Sequence, residues 1–283
     1  GVEWSTATPK RIVELNINES SNNDNGDNTQ GGDHGTPFEK YNFNNGRQAG
    51  VDARLIGNID LSGLSELVYL NLLGHDSIMD VNVQGLNNLY YFAIGRADYM
   101  TNIDISGLPN LEWFWSGNLD GLLNLDASNC PKLKVLKCKS GNNTLLTLDI
   151  SGSDSLVFIN LENLMDETNG FTILDLTGKT ELYHLKIPEG NISSIKGLSS
   201  CSKLKYFKAA KNKLVGKIDI SNFDTLNLSK FCVAENQLDD VTGWTSLGSV
   251  EVMNVEDNQL TLNNASQIVN EVSANDKLEG NPQ

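Results

Sequence analysis

The apolar residues of this chain recur at a fixed spacing, and that recurrence leaves few folds open. From Leu204 the chain reads Leu204, Phe207, Ala209, Asn212 and Leu214; the spacing returns as Leu228, Phe231, Val233, Asn236, Leu238 and as Val250, Met253, Val255, Asn258, Leu260. Upstream the first three positions recur without the Asn, as Leu67/Leu70/Leu72, Leu89/Phe92/Ile94, Leu133/Leu136/Cys138, Leu156/Ile159/Leu161 and Leu182/Leu185/Ile187. Leu111/Phe114 is a further copy with Ser116 in third place. The copies begin at 67, 89, 111, 133, 156, 182, 204, 228 and 250, so successive starts lie 22 to 26 residues apart. A unit this short cannot bury an apolar face alone and must stack on its neighbours.

A period in the twenties with this pattern is the signature of a leucine-rich repeat solenoid. Length alone would allow one or two domains, but the repeat covers most of the chain and implies one elongated domain. The second and third apolar positions alternate with other residues, so each copy supplies a short strand. Stacked copies then give a curved parallel β-sheet on the concave side. The other half of the unit repeats as Ile59-Asp60-Leu61-Ser62-Gly63, Ile103-Asp104-Ile105-Ser106-Gly107 and Leu148-Asp149-Ile150-Ser151-Gly152. Period two followed by Ser-Gly predicts short extended segments and turns on the convex side. The column Asp60, Asp104, Asp126, Asp149, Asp175, Asp219 has two readings, a metal stripe or carboxylates that accept amides of their own turns. The second is preferred, because Asp bonds its local backbone readily. Asn212, Asn236 and Asn258 are read as a buried ladder for turn amides and carbonyls.

Around the repeat, residues 1–50 read as a degenerate first coil (Ile12, Leu15, Ile17), with Trp4 folded over its open end and a flexible polar insertion at about 18–36. The insertion has no apolar side chain to offset the entropy of ordering it. Calcium is the rival reading there, through Asp24, Asp27 and Asp33, but the spacing does not match the Asp-x-Asp-x-Asp-Gly type and no Glu follows at the right place. Phe38, Tyr41 and Phe43 are expected to pack back on the solenoid edge. The solenoid itself is placed at 51–260. Residues 261–283 are expected to hold a C-terminal capping helix, with Ile268, Val269 and Val272 at helical spacing after Asn263 and Asn264, and then a tail.

The chain carries 36 acidic and 21 basic residues, a formal charge of −15. That excludes nucleic acid as the expected partner, since binding it needs a cationic footprint. No apolar run reaches the ~20 residues of a transmembrane segment. Cys130 and Cys201 share one repeat position three coils apart, ~14 Å at the usual strand spacing, and Cys138 and Cys232 are further apart still. Disulfides need Cα atoms within about 7 Å, so four free thiols are expected.

Residues flanking the second and third apolar positions point to the opposite, concave face. One column there reads Tyr69, Tyr91, Trp113, Val135, Phe158, His184, Tyr206, Lys230, Val252. The next reads Asn71, Ala93, Trp115, Lys137, Asn160, Lys186, Lys208, Cys232, Asn254, and the third runs Leu73, Gly95, Gly117, Lys139, Glu162, Pro188, Ala210, Ala234, Glu256. Tyr69, Tyr91, Trp113 and Trp115 predict an exposed aromatic patch, and Lys137, Lys139, Lys186 and Lys208 a basic patch beside it. With Phe158, His184 and Tyr206 these are the candidate ligand-binding residues. The bland alternative is an ordinary sheet face, where aromatics simply pair across strands.

The three histidines and four cysteines offer no thiolate–imidazole pair, and no phosphate loop, zinc spacing or Gly-x-Ser-x-Gly occurs, so no catalytic residue, metal or cofactor is expected. Asn212-Lys-Leu214, Asn236-Gln-Leu238 and Asn258-Gln-Leu260, with the Leu-Asp-Ile-Ser half-units, resemble bacterial leucine-rich repeat proteins of the irregular, internalin-like class, surface or secreted proteins of gut anaerobes. The resemblance covers about 51–260. It implies an extracellular or cell-surface binding module, with any lipid anchor outside this sequence, but fixes no partner. A protein or peptide, acidic by complementarity to the lysines, is the leading expectation. A glycan stacked on Trp and Tyr is the runner-up, and a spacer within a larger surface protein the third.

Overall fold

The computed structural model describes residues 2–4, 12–16, 55–139, 145–162, 169–223, 228–243 and 250–261. Each turn of the chain adds one strand to an eleven-stranded sheet. The strands are Val2–Trp4, Ile12–Asn16, Tyr69–Leu73, Tyr91–Gly95, Trp113–Gly117, Val135–Lys139, Phe158–Glu162, His184–Lys186, Tyr206–Lys208, Lys230–Cys232 and Val252–Asn254. Val2–Trp4 pairs antiparallel with Ile12–Asn16, and every later neighbour pairs parallel. Leu70, Phe92, Phe114, Leu136, Ile159, Leu185, Phe207, Phe231 and Met253 are register partners in succession. Equal repeat positions therefore stack on one another, the parallel β-solenoid that the period implied.

The three apolar columns line the interior. Leu67, Leu89, Leu111, Leu133, Leu156, Leu182, Leu204 and Leu228 are all fully buried in one core, and Ser116, third in its copy, is buried as well. Phe92 and Phe114 meet at 5.5 Å between ring centres, as do Phe207 and Phe231, so bulkier rungs contact directly across turns. Ile12–Asn16 takes the place of the degenerate first rung, with Leu15 opposite Leu70 and buried.

On the other side the half-units form short parallel strands in four small sheets: Ile56–Asp60 with Ser77–Asn82; Asn102–Asp104, Asn124–Asp126 and Thr147–Asp149; Ile173–Asp175 with Ser194–Lys196; Val215–Asp219 with Gln237–Thr242. Gly57 and Gly216, both at positive φ, mark register shifts in two of them, where an extra residue bulges out. One 3-10 turn, Leu198–Ser200, is the described helical element.

The Asp column behaves as local turn chemistry. Asp60, Asp104, Asp126, Asp149, Asp175 and Asp219 each accept the backbone N–H two residues on, at 2.8–3.0 Å. Bonds from Ser62, Thr177 and Ser221 hold Asp60, Asp175 and Asp219 below the usual carboxylate range. The Asn ladder is equally plain. Asn236 Nδ2 donates to the carbonyls of Ala209, Val233 and Ala234 at 2.9, 2.9 and 3.1 Å, while its Oδ1 accepts Leu214 N–H at 3.0 Å. Asn212 and Asn258 do the same one turn to either side, through Ile192 and Leu238. Each amide thus ties its own turn to the one before.

Lys179 breaks the pattern. It stands where other turns place Leu86, Leu108 and Cys130, and is 1% exposed. Its Nζ donates to Asp154 Oδ1 at 2.9 Å and to the Thr177 carbonyl at 3.2 Å. Asp154 is 62% exposed, so the partner charge stays hydrated.

Cys130, Cys138 and Cys201 are buried and Cys232 half-buried, all as free thiols. The insertion at 18–36 with its calcium alternative, the aromatics of 37–50 and the expected capping helix after 261 lie outside the described residues. Among the described residues no helix is long and apolar enough to cross a membrane.

Candidate binding face of the long sheet

Within each five-residue rung the first, third and fifth side chains stand on the face away from the core. The predicted site residues are therefore gathered on one surface, but the exposure expected for them needs correction. Trp113 is 8% exposed, Phe158 is 7% and His184 is 2%, while Tyr69, Tyr91 and Tyr206 are half-buried. They are not sunk in the solenoid interior. Trp113, Val135 and Phe158 form a second hydrophobic cluster, with Tyr90, Tyr91 and Val157 packed against it, separate from the core.

The cause is the register. Parallel strands lie about 4.8 Å apart, close to the stacking distance of flat rings. Tyr69 and Tyr91 stack with centroids 4.6 Å apart and planes 5° from parallel. Phe158, His184 and Tyr206 form a continuous stack, at 4.2 and 4.1 Å. Lys230 places its ammonium 5.3 Å from the Tyr206 ring centre and closes that end of the ladder. Trp113 Nε1 donates to the Tyr90 hydroxyl at 3.1 Å, which orients both rings. Burial, with the neighbouring Tyr69, pushes the Tyr91 phenol above its usual range, so it stays protonated.

Trp115, in the next column, is half-buried as well. A Cβ placed on Gly117 would come within 3.3 Å of its Cζ2, so the indole lies over that glycine. Gly95, on the preceding strand, is tighter: a Cβ there would meet the Gly117 carbonyl oxygen at 2.6 Å. These small residues leave the indole lying low over the sheet surface.

Lys137, Lys139, Lys186 and Lys208 lie on three of four consecutive strands, each half-buried. Between them stands Glu162, which the lysine count alone does not reveal. Lys186 Nζ lies 2.9 Å from its Oε2. Burial works to raise the Glu162 pKa, but the bond and charge of Lys186, with the charges of Lys139 and Lys208, outweigh it and hold the carboxylate below its usual range. The patch is four ammonium groups around one carboxylate, net positive on a chain of charge −15.

Sequence reasoning also missed Tyr90. It belongs to the residue column just before each strand, where it helps line a shallow flank groove with Val68, Asn110 and Glu112. The groove's polar groups are engaged: Asn110 donates to the Asn87 carbonyl, Lys132 to Asn110, and Lys134 to Glu112. Among the described residues no group of three His, Cys, Asp or Glu could hold a metal. The Cys232 thiol, two strands from His184, is raised by burial despite Lys208 and Lys230 nearby.

No protein-family model and no curated protein matches the sequence. Among solved structures the chain is similar to an internalin from Listeria monocytogenes, at 21% identity and a TM-score of 0.46, over 75% of this chain and 66% of that one. It is similar also to the functional domain of InlJ from Listeria monocytogenes, which includes a cysteine ladder, at 19% and 0.41, over 68% and 49%. A leucine-rich repeat protein of Leptospira interrogans matches at 14% and 0.41, over 75% and 66%. The chain spans just under two thirds of the first and about half of the second. The repeat and the in-register sheet, rather than these likenesses, carry the architecture.

Proposed function

We propose that this chain is a non-catalytic extracellular binding module of a bacterial surface or secreted protein, and that its concave face recognises a protein or peptide. The observation that supports this best is the pairing, on one sheet face, of half-buried Trp115, Tyr69 and Tyr91 with a net-positive lysine patch on a strongly acidic molecule. Aromatic anchors with few rotamers to freeze, beside charges that select the partner, make an economical interface. Ring stacking along this face, in which Tyr69 and Tyr91 themselves take part, holds it in shape before any partner arrives, which lowers the ordering cost of binding.

The test is capture from host and cell-surface extracts on the immobilised chain, compared with a Trp115→Ala variant. Trp113 is unsuitable because its burial and its bond to Tyr90 would confound binding with folding. A partner retained by the native chain and lost by Trp115→Ala at unchanged melting temperature supports the reading; capture indifferent to Trp115 removes it. Glycan binding is the second reading, favoured by the partly accessible indole of Trp115 on which a sugar can stack, and a glycan array separates the two. If neither assay returns a ligand, the spacer role stands.

A further inference from the structure

Lys137, Asn160, Lys186 and Lys208 occupy one register position on four consecutive strands, and Lys139 and Glu162 stand opposite each other two residues along the first two. Asn160 is the exception at its position. In other turns the same amide oxygen caps its own strand: Asn71 Oδ1 accepts Leu73 N–H at 3.2 Å, and Asn254 Oδ1 accepts Glu256 N–H at 3.0 Å. Asn160 is 7% exposed, and its buried Oδ1 accepts no hydrogen bond. Buried acceptors without donors are rare and destabilising, so such an atom asks for a missing partner. Lys186 is committed to Glu162, whereas Lys139 and Lys208 act on that carboxylate only through space.

Resting on the reading of this face as a binding surface, we propose that the cluster is a subsite for an extended acidic peptide. Carboxylates of the peptide pair with Lys139 and Lys208, and one of its N–H groups donates to Asn160 Oδ1 once the side chains covering that atom move aside. Spacing fits this occupant: the first and fourth strands are ~14 Å apart, which an extended peptide crosses in about four residues. Lysine ammonium groups act as point charges and do not by themselves choose among carboxylate, sulfate and phosphate, so the peptide is favoured by the spacing and by the unmet Asn160 acceptor, and a sulfated polyanion is an arm of the test.

The probe is a fluorescein-labelled Asp-Gly repeat peptide, read by anisotropy against the intact chain, with the Asn-Gly peptide of equal length as its neutral twin and heparin as a sulfated polyanion. The Asp-Gly peptide should bind at least ~10-fold more tightly than its twin, and K139A/K208A should weaken it by a similar factor. N160A should weaken it by ~3-fold or more, and added salt should loosen the native complex. The proposal is overturned if the two peptides bind alike or not at all, or if K139A/K208A changes nothing. Tighter, lysine-dependent heparin binding would overturn it in favour of an anionic polysaccharide. The wider reading fails separately: if the peptide does not bind but Trp115-dependent capture persists, only the acidic-peptide subsite is lost.

Discussion

Asn236→Ala should destabilise the solenoid far more than its size suggests. The side chain is 7% exposed and makes four bonds that join two turns. Truncation leaves the Leu214 N–H without an acceptor, whereas the three carbonyls each lose one donor and keep another: Ala209 from Asn212 at 3.3 Å, Val233 from Asn258 at 3.0 Å and Ala234 from the Lys211 N–H at 2.9 Å. The one buried N–H left unsatisfied costs ~1–3 kcal/mol and the three lost second bonds add on the order of 1 kcal/mol together, so the loss should total about 2–4 kcal/mol. Against a typical stability of ~5–15 kcal/mol, that is enough to loosen one end of the stack, because turns interact only with neighbours. Asn236→Asp sharpens the test. Its carboxylate can still accept Leu214 N–H, but when ionised it faces three carbonyl oxygens, so it should be as damaging at neutral pH and recover as acid protonates it. Urea unfolding followed by circular dichroism gives the magnitude, and hydrogen exchange at Leu214 gives the location. A loss below ~1 kcal/mol for Asn236→Ala, or native stability for Asn236→Asp at neutral pH, would refute the ladder as a structural tie.

Three further outcomes follow from the same geometry. Gly95→Ala should cost ~1–3 kcal/mol in urea unfolding, since its Cβ would meet backbone that a rotamer change cannot move. The folded-state pKa values of Asp60, Asp175 and Asp219 are depressed, so their contribution is complete above the ordinary value of 3.8 and fades as pH falls below it. A melting series should therefore decline on acidification, less so for an Asp175→Asn variant that keeps the acceptor uncharged. Thiol titration should find Cys130, Cys138 and Cys201 silent in the native chain, with Cys138 pushed up to about 12 and Cys201 to about 11 by burial; half-buried Cys232 should react slowly, and all four after denaturation.

The interior was legible because period alone determines it: a Leu every turn has nowhere to go but inward, and all the leucine columns did. The Asp turns and Asn ladder were legible for a similar reason, since short polar side chains at fixed offsets from a turn have few partners. Exposure on the outer face was not. Alternation says which face Trp113, Phe158 and His184 occupy, but not that in-register rings lie close enough to hide one another. Glu162 stood in a different column from the lysine it neutralises, and only the sheet register sets them side by side. Lys179 gave no warning, because its compensation comes from Asp154, one turn back and on the surface.

The central claim, that binding belongs to the outer face of the long sheet, is tested most directly by moving the same charge on opposite sides of the molecule. Capture of the partner should be abolished by K139E/K208E and untouched by K196E/K217E, whose lysines are exposed on the short convex strands. Both pairs add the same negative charge, so equal losses would mean a non-specific charge effect. A loss confined to the convex pair would put the interface on the wrong side of the solenoid and contradict the account.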